Sequence, residues 1–213
     1  MRFFGLILAV VAMAQSANAA LLSTWNFDSN ADAVVSAGVA GTGTAFTNVG
    51  TAGSNGINGA ISSQRWATAT NVTNTSAAAG DSKYNTFSFT NTGSNPYVLT
   101  DMAFDLGRVG GSGTNVIRVL VTQQIGTGSE DEVFSVTANS GTLSSKGDSL
   151  VNTLLSPGET VTYRFYYSRS GSTSGGLIDN IMLNGELVPE PASMAIFGLL
   201  GVGAAARRFR RKK

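Results

Sequence analysis

The chain has no cysteine and no histidine. The first absence removes disulfide support and thiol chemistry. The second removes Ser-His and Cys-His nucleophilic arrangements and the histidine-containing zinc sites. Charged residues make up 13% and prolines number four. No apolar run reaches the roughly 20 residues of a standard membrane-spanning helix. Basic charge is also scarce outside the C-terminus. Between Leu21 and Val188, seven Lys and Arg stand against twelve Asp and Glu, a net of −5. Nucleic acid is therefore not an expected partner, because it requires a basic surface. Hydrolysis by a carboxylate pair survives this inventory, since it needs only Asp or Glu.

What the chain does have is concentrated at its two ends. Met1-Arg2 is a short positive start, Phe3 to Ala14 is apolar, and Ala17-Asn18-Ala19 has the small-x-small form of a cleavage site. The segment 1–19 is read as a signal peptide, with a mature start at Ala20 and export by the Sec machinery. At the other end stand Pro189, Glu190 and Pro191, an apolar run from Ala192 to Ala206, and a basic cluster of Arg207, Arg208, Arg210, Arg211, Lys212 and Lys213. As a helix the run would rise about 22 Å, short of a hydrocarbon core of about 30 Å. It is expected to be a short C-terminal transmembrane helix, with the basic cluster held cytoplasmic.

Those three parts, in that order, closely resemble the PEP-CTERM sorting signal of Gram-negative bacteria. The matching residues run from Val188-Pro189-Glu190-Pro191-Ala192-Ser193 to the terminal cluster. The resemblance implies recognition by an exosortase, transient residence in the inner membrane, and delivery to the cell surface or extracellular matrix. It also implies association with exopolysaccharide or matrix glycans. It runs from Val188 to Lys213, with the sorting signal itself assigned to residues 189–213, and implies no activity for the ectodomain.

The ectodomain, residues 20–188, reads as all-β. Leu22 to Asp28 alternates, with Ser23, Trp25 and Phe27 on one face and Leu22, Thr24, Asn26 and Asp28 on the other. Residues 31–79 are rich in Gly, Ala, Thr and Asn, and are expected to form loops with short strands near Thr44–Asn48 and Arg65–Thr70. Further strands are expected at Tyr84–Thr90, Tyr97–Leu106, Val116–Ile125, Glu132–Ala138, Leu150–Leu154, Thr160–Ser168 and Leu177–Leu187. On Tyr97–Leu106, Val98, Met102, Phe104 and Leu106 are expected to face the core. Ile178 and Met182 are expected core residues of the last strand. Short strands, frequent turn signals and no amphipathic helix point to an antiparallel β-sandwich.

Trp25-Asn26-Phe27-Asp28 and Ile178-Asp179-Asn180-Ile181 resemble the terminal strands of jelly-roll domains, among them carbohydrate-binding modules and lectins. That resemblance implies pairing of the first and last strands. It also implies a structural calcium at Asp179, with Asp28 brought close. No other cofactor is expected.

Sugar binding would use exposed aromatic faces, for which Trp66 and Tyr166 are the candidates; Trp25 is expected in the core. A glycosidase would draw on Asp101, Asp105, Glu132 and Glu159. Asp101 and Asp105, four apart on one strand, would lie roughly 13 Å apart, beyond the usual separation of such pairs. The run Glu130-Asp131-Glu132 lacks the spacing of an EF-hand. The expected function is a non-enzymatic exported protein, structural or adhesive. A lectin-like module is the alternative and a glycosidase the remote one.

Overall fold

The computed structural model describes residues 19–27, 32–49, 66–68, 84–109, 116–140, 142–169 and 175–188. Every regular element among them is a strand: β1 Ala20–Trp25, β2 Val34–Val35, β3 Gly41–Gly43, β4 Thr47–Val49, β5 Trp66–Thr68, β6 Tyr84–Asn91, β7 Tyr97–Val109, β8 Ile117–Ile125, β9 Glu130–Ala138, β10 Ser144–Leu155, β11 Thr160–Arg169 and β12 Gly175–Leu187. No helix among the described residues is long and apolar enough to cross a membrane. The signal peptide up to residue 18 and the C-terminal helix expected from the sequence lie outside the described residues.

The strands form two antiparallel sheets, packed as a sandwich. Sheet I has the order β10-β7-β12-β1-β2, with β5 also on β12; sheet II has β3-β6-β11-β8-β9, with β4 also on β6. The first and last strands pair antiparallel, from Ala20↔Gly185 to Trp25↔Ile181, as the jelly-roll resemblance implied.

Alternation builds the core. On β6, Asn85, Phe87, Phe89 and Asn91 point inward; on β11, Val161, Tyr163, Phe165 and Tyr167 do so. Aromatic rings join the two sheets. Trp25 lies 4.1 Å from Phe87, and Phe104 meets Phe165 edge-on at 5.2 Å. Such pairs add about 0.5–1.5 kcal/mol beyond area burial. Trp25 is fully buried, and its indole N–H donates to the Thr44 carbonyl at 2.8 Å. A polar bridge also crosses the core. The Tyr163 hydroxyl donates to Gln123 Oε1 at 2.9 Å, and Gln123 Nε2 donates to Thr153 Oγ1 at 3.0 Å.

Three expected side-chain directions are corrected, each by an extra residue in one strand, which reverses the alternation beyond it. In β1 the register shifts between Leu21 and Ser23, so Leu22 joins Ser23 and Trp25 in the interior. In β7 the pairing passes from Asp101 to Leu99 across one residue of β12, so Tyr97 and Leu99 are buried and Val98 is not. In β12 the shift between Asp179 and Met182 is taken up around Asn180, whose φ is +49°. Ile181 and Leu183 therefore fill the core, while Met182 turns out of it.

β10 starts six residues before the expected Leu150, and β7 runs on through Gly107 to Val109. The expected strand at Thr44–Asn48 is split into β3 and β4, with Phe46 buried between them.

Candidate functional site

Two faces of the sandwich carry organised polar chemistry. The first is the outer face of sheet II. Here Arg164 and Tyr166 of β11 alternate with the core residues, and the register sets Arg164 beside Thr122 and Tyr166 beside Leu120 of β8. β8 in turn sets Thr122 beside Glu132 and Gln124 beside Glu130. The result is a network centred on one carboxylate. Glu130 Oε1 accepts from the Tyr166 hydroxyl at 2.7 Å and from the Thr122 hydroxyl. Its Oε2 accepts from Arg164 at 2.6 Å. The same guanidinium donates to Gln124 Oε1 at 2.8 Å and stands 5.4 Å from the centre of the Tyr84 ring. Tyr84 and Tyr166 pack at 5.3 Å, tilted by 54°, with Leu120 beside them.

Burial, and after it the bond to Glu130, holds the Tyr166 phenol well above its ordinary ionisation range. It therefore stays a neutral donor. Arg164 and Glu130 keep 18% and 29% of their side chains exposed, so both can still reach a ligand.

The second face is the outer face of sheet I. Asp101 accepts from Asn184 Nδ2 at 2.6 Å and from Thr100 at 2.8 Å; Asp105 accepts from Asn180 Nδ2 at 2.9 Å. Asp179 lies directly across from Asp105, is 4% exposed, and accepts from the Asn180 backbone N–H at 2.8 Å. A depression of ≈ 510 Å³ opens where β7 and β10 meet β9, lined in part by Asp101, Val136, Lys146 and Asp148. Its two carboxylates do not oppose each other. Asp101 pairs with Ser149 on the outer face, while Asp148 pairs with the buried Met102 on the inner one.

Tyr166 lies on the outer face, but it is 2% exposed. Its ring is covered by Tyr84 and Leu120, so it is no open platform for a sugar, and that expectation is corrected. Trp66 falls in β5, where its backbone pairs with Ile178; its side chain lies outside the described residues. Asp28 also lies outside them, so its approach to Asp179 stands as an implication of the resemblance. Among the described residues, no group of three or more His, Cys, Asp or Glu is placed to hold a metal. Glu159 closes a turn by accepting from the Ser156 N–H at 2.7 Å, and Glu132 is exposed. Ala19 is the first described residue and is exposed. Ala17, Pro189 to Pro191 and the basic cluster lie outside. Sequence reasoning missed Tyr84, Thr122, Gln124, Glu130 and Arg164 as a group. The available signals were an arginine at an outward position of β11, between the inward Tyr163 and Phe165, and an acidic run at the start of β9.

Residues 187–212 match the PEP-CTERM protein-sorting motif. The motif implies an exported protein processed at the membrane by an exosortase. No curated protein matches the chain in sequence. Among solved structures it is similar to the CBM22-1 xylan-binding domain from Paenibacillus barcinonensis Xyn10C: 13% identity, TM-score 0.42, covering 81% of this chain and 97% of that one. It is also similar to the CBM22-1-GH10 modules of Clostridium thermocellum endo-1,4-beta-D-xylanase 10B, at 11% identity and TM-score 0.40, over 77% of this chain and 28% of that one. A third likeness is to bacteriophage CBA120 tailspike protein 4, at 17% identity and TM-score 0.30, over 70% and 19%.

Proposed function

We propose that this is a non-enzymatic exported protein. It is carried to the cell surface or extracellular matrix of a Gram-negative bacterium by exosortase sorting, and there associates structurally or adhesively with exopolysaccharide. The observation that carries the reading is the junction at Leu187. The last strand of the sandwich ends at Leu187, and the sorting motif begins at the same residue. A folded β-domain joined this directly to a sorting tail is built to be delivered as a unit.

The outer faces support association rather than turnover. Their carboxylates are engaged by Asn, Thr, Tyr and Arg partners, and the two acids of the depression sit on opposite faces of one sheet.

A lectin-like glycan site is the second reading. The favouring observation is the Arg164–Glu130 pair, which offers a charged donor and acceptor beside Tyr84. The structural calcium at Asp179 and Asp28 remains a proposal attached to either reading.

The test is the intact mass and cell fraction of the mature protein in its producing cell, followed by co-purification with matrix polysaccharide. Loss of residues 1–19 and of the tail after Pro189-Glu190-Pro191, with recovery in the polysaccharide fraction, is expected. A processed protein recovered free of polysaccharide and of the envelope refutes the association. An Arg164→Ala variant separates the readings: it abolishes a defined glycan site but leaves diffuse association largely intact.

A further inference from the structure

The end of the sandwich that carries the sorting tail is unlike the rest of the surface. Ala20 pairs with Gly185, and Val188 is tied by its N–H to the Pro96 carbonyl at 2.9 Å. The N-terminal segment and the tail therefore join the domain at one end. Among the described residues, the exposed large apolar side chains are Leu21 at 38%, Val34 at 56%, Leu154 at 50% and Leu187 at 46%. Three of these four gather at the tail end of sheet I. Leu154 pairs with Val98, and Val98 with Glu186, the neighbour of Leu187. Leu21 pairs with Asn184, a short step further along β12. Sheet I carries one carboxylate here, Glu186, in the row of Val98 and Leu154, whereas the sheet II side of this end carries four, Glu130, Asp131, Glu132 and Glu159, around the β8–β9 and β10–β11 turns.

We infer that this leucine-bearing end of sheet I rests on the lipid–water interface of the membrane that holds the tail, before the tail is removed. Three arguments converge. Only Pro189, Glu190 and Pro191 separate Val188 from the apolar run starting at Ala192, a reach of roughly 14 Å at most. That run is short for the hydrocarbon core, and a short segment draws flanking apolar groups towards the bilayer. Anionic headgroups repel the acidic side, so the domain leans onto sheet I. The scissile region is then held against the membrane surface, where a membrane-embedded protease works. The inference rests on the sorting tail residing in the membrane and is independent of glycan association.

The absence of cysteine makes the test clean, because each introduced thiol is unique. The full chain is reconstituted in phosphatidylethanolamine–phosphatidylglycerol vesicles. Nitroxide labels are placed through Leu154→Cys, Leu21→Cys, Val34→Cys, Ser135→Cys and Glu159→Cys. Collision rates with oxygen and with a water-soluble nickel chelate are then measured. The expected result is loss of most nickel collisions at positions 154 and 21, with 34, 135 and 159 remaining wet. Should either leucine variant fail to fold, Leu187→Cys reports on the same end. A chain that floats with vesicles while labels at 154, 21 and 187 stay as wet as at 34 overturns the proposal alone. A chain that fails to float overturns it together with the membrane reading of the tail.

Discussion

Removing the Glu130 carboxylate tests whether the outer-face network is a built structure or a surface coincidence. Glu130→Ala strips one acceptor from three donors: the Tyr166 hydroxyl, the Thr122 hydroxyl and Arg164. Tyr166 and Thr122 are each 2% exposed, so water cannot fully replace the lost acceptor. An orphaned buried hydroxyl costs about 1–3 kcal/mol. Arg164, at 18% exposure, regains part of its hydration, and loss of its pairing adds about 0.5–1 kcal/mol. Two such hydroxyls and the lost pairing sum to about 2.5–7 kcal/mol of unfolding free energy. Tyr166→Phe removes one donor and leaves the carboxylate two others, so it costs about 1 kcal/mol. Because both changes touch the same bond, the double variant falls short of additivity by about 1 kcal/mol. The assay is urea unfolding of residues 20–188, followed by intrinsic fluorescence and circular dichroism. Repeating it in 1 M salt, where screening acts within about 3 Å, should recover only the ion-pair fraction of the loss. A Glu130→Ala cost below about 0.5 kcal/mol, the range of ordinary surface substitutions, refutes the reasoning. So does strict additivity.

Alkali should unfold the protein through its tyrosines. Burial raises the phenols of Tyr163, Tyr166 and Tyr167 above their ordinary value of 10.0. The unfolded chain releases these protons first, so their contribution is whole below pH 10 and is lost as pH rises towards the raised values. The loss is about 1.4 kcal/mol per pH unit for each. Tyrosinate absorbance should show the three ionising together with unfolding; independent titration near pH 10 in the folded state refutes this. Gly147→Ala should destabilise by about 1–3 kcal/mol, because a Cβ there collides with the Met102 carbonyl oxygen, a backbone atom that cannot swing away. An unchanged urea midpoint counts against that packing. Gln123→Leu orphans the buried Tyr163 hydroxyl and should cost about 1–3 kcal/mol, and adding Tyr163→Phe should restore part of it. No recovery in the double variant means the bridge is not what the residue supplies.

The parts of the fold legible in the sequence are those whose local pattern matches their burial. β6 and β11 place an inward residue at every second position, and their strict alternation names the core face without further help. β8 is rich in β-branched and apolar residues because it lies inside its sheet. The start of β10, Ser144 to Ser149, was not legible. It is an edge strand whose inner row carries Lys146 and Asp148 beside β9, so no apolar alternation marks it. Inward charge on an edge strand discourages pairing with other chains. The misassigned Leu22, Val98 and Met182 share one cause: a single extra residue reverses the faces beyond it, and composition does not announce it. The Glu130 network was illegible for a different reason. It depends on the register of β9 on β8 and of β8 on β11, which brings residues 34 apart in sequence into one bond. Tyr166 was placed on the correct face, but its cover comes from Tyr84 on the adjacent strand β6, remote in sequence from any local signal.

The place of β12 has a consequence in time. It is the final strand among the described residues, yet it lies between β7 and β1 at the middle of sheet I. A chain crossing a membrane N-terminus first exposes β1 and β7 long before the 13 residues that bridge them arrive. Until then both flanking strands have bare inner edges and the domain cannot close. Among the described strands, pairing of the first with the last is also the pairing of longest range, and such contacts form slowly. Closure therefore waits until Leu187 has emerged, when the next residues to follow are those of the sorting tail. Folding and arrival at the sorting protease are thereby placed in step by topology alone.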